Sequence, residues 1–210
     1  VLRKLQTVIV KQILDKPKNL PKENSEKYAA LVKEHGQALK HGYGDFANRE
    51  AFADLMRFDS SAIAPDADFT SLDAYVERAK EGQKSIYYLS GPSRAALDLN
   101  PHLEIFRAKG LEVLYLYEPV DEFIMDTIGT YKELKLKSAE LADHAELDAF
   151  EGEAPKTETP ELTQEEEGSF DGFLAKIKEL LGDRITEVRL STRLTQSPSC
   201  LVSPDDHMTS

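Results

Sequence analysis

A chain of 210 residues has room for one large domain or two small ones, and its formal net charge of −12 is wrong for a general nucleic-acid binder or for attachment to anionic lipid. Its 40% hydrophobic and 30% charged content fits a soluble globular protein, and no apolar run approaches the roughly 20 residues needed to cross a bilayer. The single cysteine, Cys200, excludes an intrachain disulfide and fits a reducing compartment, which predicts a cytoplasmic protein.

Leu5, Val8, Ile9 and Ile13 recur at spacings of three and four, predicting a first helix over 1–14 that Pro17 and Pro21 stop. No signal peptide is visible there. A second helix is expected from Ser25 to Leu39, burying Tyr28, Leu31, Val32 and Leu39, before Gly42 and Gly44 break the pattern. A third starts near Asn48 with Phe52, Leu55 and Met56 inward. Ser71 can cap a fourth that buries Leu72, Tyr75 and Val76 and ends at Gly82. The period then changes. Ser85 to Leu89 is β-branched and aromatic and reads as a strand bounded by Gly91-Pro92. Helical stretches follow from Ser93 and from Pro101, and Leu111 to Tyr117 is a second apolar strand. Strand, helix and strand in so few residues predict a parallel pair and a small α/β layered unit. Pro119 starts another helix carrying Val120, Phe123, Ile124 and Ile128.

Residues 138–168 are rich in Glu and Asp, carry Pro155 and Pro160, and read as an acidic linker or loosely held excursion. Beyond them, Phe170, Phe173, Leu174, Ile177, Leu180 and Leu181 define an amphipathic helix ended by Gly182. Alternation from Thr186 to Leu194 predicts a half-buried strand, and Ser199 to Val202 a short second one. The expected division is therefore 1–137, an acidic connection over 138–168, and the beginning of a mixed α+β domain over 169–210. Both ends read as cut from something longer: Val1 opens directly into helix, and Asp205 to Ser210 offers helix-starting residues with no helix body.

Few residues point to catalysis. His35, His41, His102, His144 and His207 are scattered and form no metal-ligand spacing with Cys200, so each reads as a surface or partly buried histidine. Gly42-Tyr43-Gly44 follows a helix rather than a strand and has no downstream phosphate lysine, so it reads as a loop, not a nucleotide cradle. Cys200 reads as a small hydrophobe. Paired carboxylates are common in so acidic a chain, but Glu122 and Asp126 stand out: four apart on the helix after Pro119, they share one face and repel. Phe123 and Met125 lie on the same helix. If Phe123 is exposed, acid and apolar side chains form a mixed binding patch; if it is core, they do not. From composition alone, the chain is an acidic interaction module.

The run from Ser71-Leu72-Asp73-Ala74-Tyr75-Val76 through Arg78, Lys80 and Gln83 to Ile86-Tyr87-Tyr88 closely resembles the middle domain of the heat-shock protein 90 chaperone family. Further segments are similar to that family: Ala38-Leu39-Lys40-His41-Gly42, Leu55-Met56-Arg57-Phe58, Gly110-Leu111-Glu112-Val113 with Asp121-Glu122-Phe123, and Val188-Arg189-Leu190 with Ser197-Pro198-Ser199-Cys200. The spelling from Leu39 to Phe58 looks closer to the bacterial branch. The resemblance implies a fragment covering the later middle domain (a helical connector and small α/β subdomain over 1–137) and the start of the C-terminal domain, truncated before the dimerisation helices.

It also implies an ATP-driven, homodimeric parent that binds unfolded or partly folded client proteins and possible co-chaperones. ATP and Mg belong to the missing N-terminal part, so no cofactor and no catalytic residue are expected in this fragment. The family's client-contacting positions fall on Glu122, Phe123 and Asp126, with Phe for the family's Trp and Asp for its Asn, and on Met208. An alternative reading is an acidic scaffold that docks co-chaperones or other folded partners.

Overall fold

The computed structural model describes residues 14–15, 20–40, 48–65, 69–142, 144–150, 152, 164–191, 194 and 196–202. The first predicted helix lies almost wholly outside them. The described chain begins with a helical arm: α1 (Leu20–Glu23), α2 (Ser25–Lys40) and α3 (Arg49–Leu55). Pro21 lies within α1 rather than ending a helix, since proline costs nothing in a first turn, where no intrahelical amide bond is needed. Leu14, Tyr28 and Leu55 form the arm's own small core, with Leu20, Leu31, Val32 and Leu39 packed around it.

A five-stranded sheet follows, ordered β1-β3-β2-β5-β4. It comprises β1 (Asp59–Ser60), β2 (Ser85–Ser90), β3 (Val113–Leu116), β4 (Thr130–Tyr131) and β5 (Leu134–Ser138). Central β2 runs parallel to β3 on one side, with Tyr87 opposite Val113, and parallel to β5 on the other, with Ile86 opposite Leu136. Both edge strands, β1 and β4, are antiparallel to their neighbours. The α/β layering read from the sequence is therefore present.

Helices cover both faces of the sheet, so β2 and β3 read as nearly unbroken apolar runs instead of alternating. Ile86, Tyr88, Leu114 and Leu116 point to one face. There they meet Leu72 and Tyr75 of α4 (Leu72–Arg78), and also Ile124, Met125 and Ile128 of the helix after Pro119. Tyr87, Leu89, Val113 and Tyr115 point to the other face, against α5 (Arg94–Asp98) and α6 (Leu103–Ala108). The crossover from β2 to β3 thus runs through α5 and α6. The return from β3 to β5 runs through α7 (Pro119–Ile128), over the opposite face.

Local signals mostly act as their chemistry dictates. Ser71 Oγ accepts the Ala74 amide and Ser93 Oγ the Ala96 amide, each holding a helix start. Gly82 does not end α4, which stops at Arg78; it occupies a separate turn at φ +82°, where the Gln83 amide reaches the Lys80 carbonyl. Pro101 likewise precedes its helix, since α6 begins at Leu103.

Two expectations are corrected. The acidic stretch is not loose at its start. After β5 a short 3-10 turn (Ala139–Leu141) and α8 (His144–Asp148) lay Ala139, Ala142, Leu147 and Phe150 against the second face. Four well-spaced apolar side chains suffice to dock it, and the surrounding acids mask them in the composition. The strands expected over 186–194 and 199–202 do not form among the described residues, because no strand edge among those residues runs beside them to complete a ladder. Val188 is only half-buried, and Leu190 is exposed. The amphipathic helix does form, as α9 (Gln164–Leu181), with Gly182 at φ +57° beyond its end.

Candidate functional site

The site builds from α7. Pro119 opens it with the φ a first helical residue needs, and the Glu118 amide donates to the Asp121 carboxylate at 3.2 Å, closing the start. Gly129, at φ +64°, ends it with its amide on the Met125 carbonyl. Ile124, Met125 and Ile128 turn into the sheet core. Met125 therefore belongs to the core and not to the patch. Phe123 turns outward and is 64% exposed, which resolves the two readings of that residue in favour of a surface aromatic.

Glu122 and Asp126 flank Phe123 on the outer side, the first half-buried and the second exposed. Beneath them stands Tyr88 of β2, its phenol close enough to feel both carboxylates. Burial, then the charges of Asp126 and Glu122, push the Tyr88 phenol above its ordinary value. Tyr88 therefore stays neutral at pH 7 and adds no charge beside the two carboxylates.

The helical arm meets this same helix. Lys40, the last residue of α2, pairs with buried Asp121 at 2.7 Å and lies 3.7 Å from Glu118, to which Gln37 also donates at 3.3 Å. The patch thus sits where arm and sheet unit are tied together. Sequence reasoning found Glu122, Phe123 and Asp126 from their spacing and the family pattern, and the structure brings them onto one surface with Tyr88. It missed the Lys40–Asp121 pair, for which residues 81 positions apart carry no local signal. Met208 lies outside the described residues.

Chemically, the surface offers an exposed phenyl ring with carboxylates to either side. It can take an apolar group and a cation together, and it contains no nucleophile beside a base. Among the described residues, no group of three or more His, Cys, Asp and Glu side chains could hold a metal ion. No helix among the described residues is long and apolar enough to cross a membrane. Of the other histidines with described side chains, His35 is exposed and His102 is buried.

The structure is thus a helical arm tied to an α/β sheet unit that displays an acid-flanked aromatic. The family model for the Hsp90 protein matches residues 1–210. The chain is 44% identical to the chaperone protein HtpG of Nitratidesulfovibrio vulgaris over 210 residues, all of this chain and 33% of that protein. It is 45% identical to the HtpG of Oleidesulfovibrio alaskensis over the same span, again 33% of the relative. Among solved structures, it resembles the middle domain of a Plasmodium falciparum protein described as a heat shock protein. That likeness has a TM-score of 0.61 and 32% identity, and covers 66% of this chain and 57% of the other. The chain belongs to the Hsp90 family of chaperones. It spans about a third of the length of the curated relatives it matches.

Proposed function

We propose that this chain is the client-gripping portion of a longer, cytoplasmic, ATP-driven chaperone, with the outer face of α7 as a contact surface for partly folded proteins. The observation that carries the reading is Phe123: a large aromatic, 64% exposed, on a helix whose other large apolar residues are covered. Covering an exposed phenyl ring removes apolar surface from water, so the ring gives a partner a favourable point of contact. Glu122 and Asp126 extend the patch to cationic side chains, so an unfolded segment carrying both apolar and basic groups is met without a fixed sequence.

One such contact is weak, and useful affinity comes from several patches acting on one client. In this reading ATP binding, hydrolysis and dimerisation are the work of segments of the longer protein outside this chain, and Met208 would contribute a flexible apolar contact. The test is titration of the chain against a purified, permanently unfolded client, followed by fluorescence anisotropy. Phe123→Ala combined with Glu122→Ala should weaken binding roughly tenfold, as expected for losing about 1.4 kcal/mol of contact. Equal affinities for the two forms, with circular dichroism unchanged, would remove this surface from the function.

A further inference from the structure

The chain is strongly acidic as a whole, with a formal net charge of −12, yet one edge of the sheet unit is basic. Strands β2, β3 and β5 run parallel, so their amino ends lie along the same edge. Lys84 immediately precedes β2, and Lys135 is the second residue of β5. Lys80 and Lys109 stand in the segments that lead into β2 and β3. The backbone fixes these positions relative to one another. Ser85 is opposite Lys135 in the ladder, and the Lys135 amide donates to the Lys84 carbonyl at 3.0 Å. The Lys80 ammonium donates to the Lys109 carbonyl at 2.7 Å, passing Gly110, where a Cβ would stand only 3.1 Å from Nζ.

Uncancelled charge distinguishes this edge. Other cations nearby are neutralised: Arg78 by Glu112 at 2.8 Å, Lys132 by Asp73 at 2.6 Å and Lys137 by Glu146 at 3.3 Å. Among the described residues, Lys80, Lys84, Lys109 and Lys135 form no ion pair. Lys80 and Lys109 each use an N–H on a backbone carbonyl, Lys109 on that of Phe150 at 2.9 Å. Such a bond positions the ammonium without cancelling its charge. Lys84 and Lys135 are exposed, and it is these two that a partner can reach most freely. Glu81 and Glu133, exposed in the adjoining turns, are too few to balance the four lysines.

We propose that this edge docks an acidic peptide segment of a partner protein, laid in extended form across the amino ends of β3, β2 and β5. Neighbouring strands lie ~4.8 Å apart, so three adjacent strand ends spread their lysines over roughly 10 Å. Alternate side chains of an extended peptide repeat about every 6.8 Å, so two or three carboxylates on one of its faces match the row. A long nucleic acid would run off this short edge onto a surface that carries the same sign as its phosphates. The edge is separate from α7, which covers the first face of the sheet, and opposite in sign to the patch there.

The test is an NMR titration of the isotope-labelled chain at low salt with three probes. They are a synthetic peptide of alternating glutamate and serine, its glutamine counterpart, and a short single-stranded DNA. Saturable shifts at the Lys84, Gly110 and Lys135 amides are expected with the glutamate peptide, at concentrations where neither other probe responds. They should fade as salt is raised. Lys84→Gln combined with Lys135→Gln should weaken binding about fivefold, and both side chains are exposed, so folding is not at issue. Lys84→Arg with Lys135→Arg, which keeps both charges, should preserve it. No saturation with the glutamate peptide, or undiminished binding in the glutamine variant, would overturn the proposal. So would an equal response to the glutamine peptide or to DNA, the latter assigning the edge to phosphate polymers.

Discussion

Lys40 and Asp121 show how much of this structure rests on single residues. The Asp121 side chain is 2% exposed, and its partner is supplied from a different structural unit. Removing the cation leaves a carboxylate buried without its counter-charge, which is far worse than losing an exposed ion pair. Lys40→Met should therefore lower stability by roughly 3 kcal/mol in urea unfolding, whereas Lys40→Arg, which keeps the charge, should lose much less. If Lys40→Met melts like the parent, the pair does not fasten the arm to the sheet unit.

The buried tyrosines set an alkaline limit. Burial first, then the hydrogen bond and charge of Asp98, push the Tyr115 phenol up to about 12. An unfolded tyrosine ionises near 10, so the raised value means the native state holds the proton longer. Stability from this group is fully present below pH ~10 and is lost as pH rises from there towards its folded value. Tyr75, Tyr88 and Tyr131 are shifted in the same direction, burial being the largest cause in each. Denaturation midpoints should fall steeply above pH ~10, and Tyr115→Phe should shallow that slope by up to about 1.4 kcal/mol per pH unit. An unchanged slope would show that Tyr115 ionises as freely folded as unfolded.

Among the elements, α8 depends on one carboxylate. Glu146 accepts from Ser85 Oγ at 2.7 Å and pairs with Lys137 at 3.3 Å, joining the acidic stretch to β2 and β5. Burial pulls its carboxyl upward, but the hydrogen bond from Ser85, the nearby Tyr87 phenol and the Lys137 ammonium together outweigh that, and the net shift is downward. A depressed value stabilises above the unfolded glutamate range, near 4.3, and that contribution is lost as pH falls through the folded value. Glu146→Gln should cost about 1–2 kcal/mol at pH 7, and its melting curve should converge on that of the parent at acid pH. A constant difference at all pH values would mean that the charge of Glu146 does not hold α8.

The elements legible in the sequence are those whose reasons are local. Ser71 before Leu72 announces α4, Pro119 opens α7, and Ser85 to Leu89 can be little but a buried strand. The β4–β5 hairpin is hidden because β4 has two residues and its turn places Lys132 and Glu133, not glycines, at positive φ. The two residues of β1 exist only because β3 presents an edge to them. Conversely, the alternation from Thr186 to Leu194 is a real strand pattern with no neighbouring strand among the described residues, and pattern alone makes no ladder. Within the candidate site, the shared face of Glu122 and Asp126 followed from helical period, but the exposure of Phe123 depended on which side of α7 met the sheet. Nothing near His102 in the chain revealed that Leu201, 99 residues away, would meet its ring.

At the scale of the whole molecule, three cores among the described residues divide the work. The arm has its own small core, and the two faces of the sheet have one each. The patch on α7 stands over the first face, where the arm is bolted on through Lys40, and the 196–202 segment is fastened to α6 and His102 on the side of the second. The exposed Phe173 and Leu180 of α9 carry the same apolar character to a further part of the chain.

Site-specific photo-crosslinking measures directly whether the outer face of α7 touches clients, as proposed. A photoreactive phenylalanine analogue placed at position 123 should crosslink a purified unfolded client in preference to the same protein folded. The same analogue at Leu99, 84% exposed on the opposite side of the sheet, should not. Equal yields from the two positions, or equal yields with the folded and unfolded client, would contradict the account.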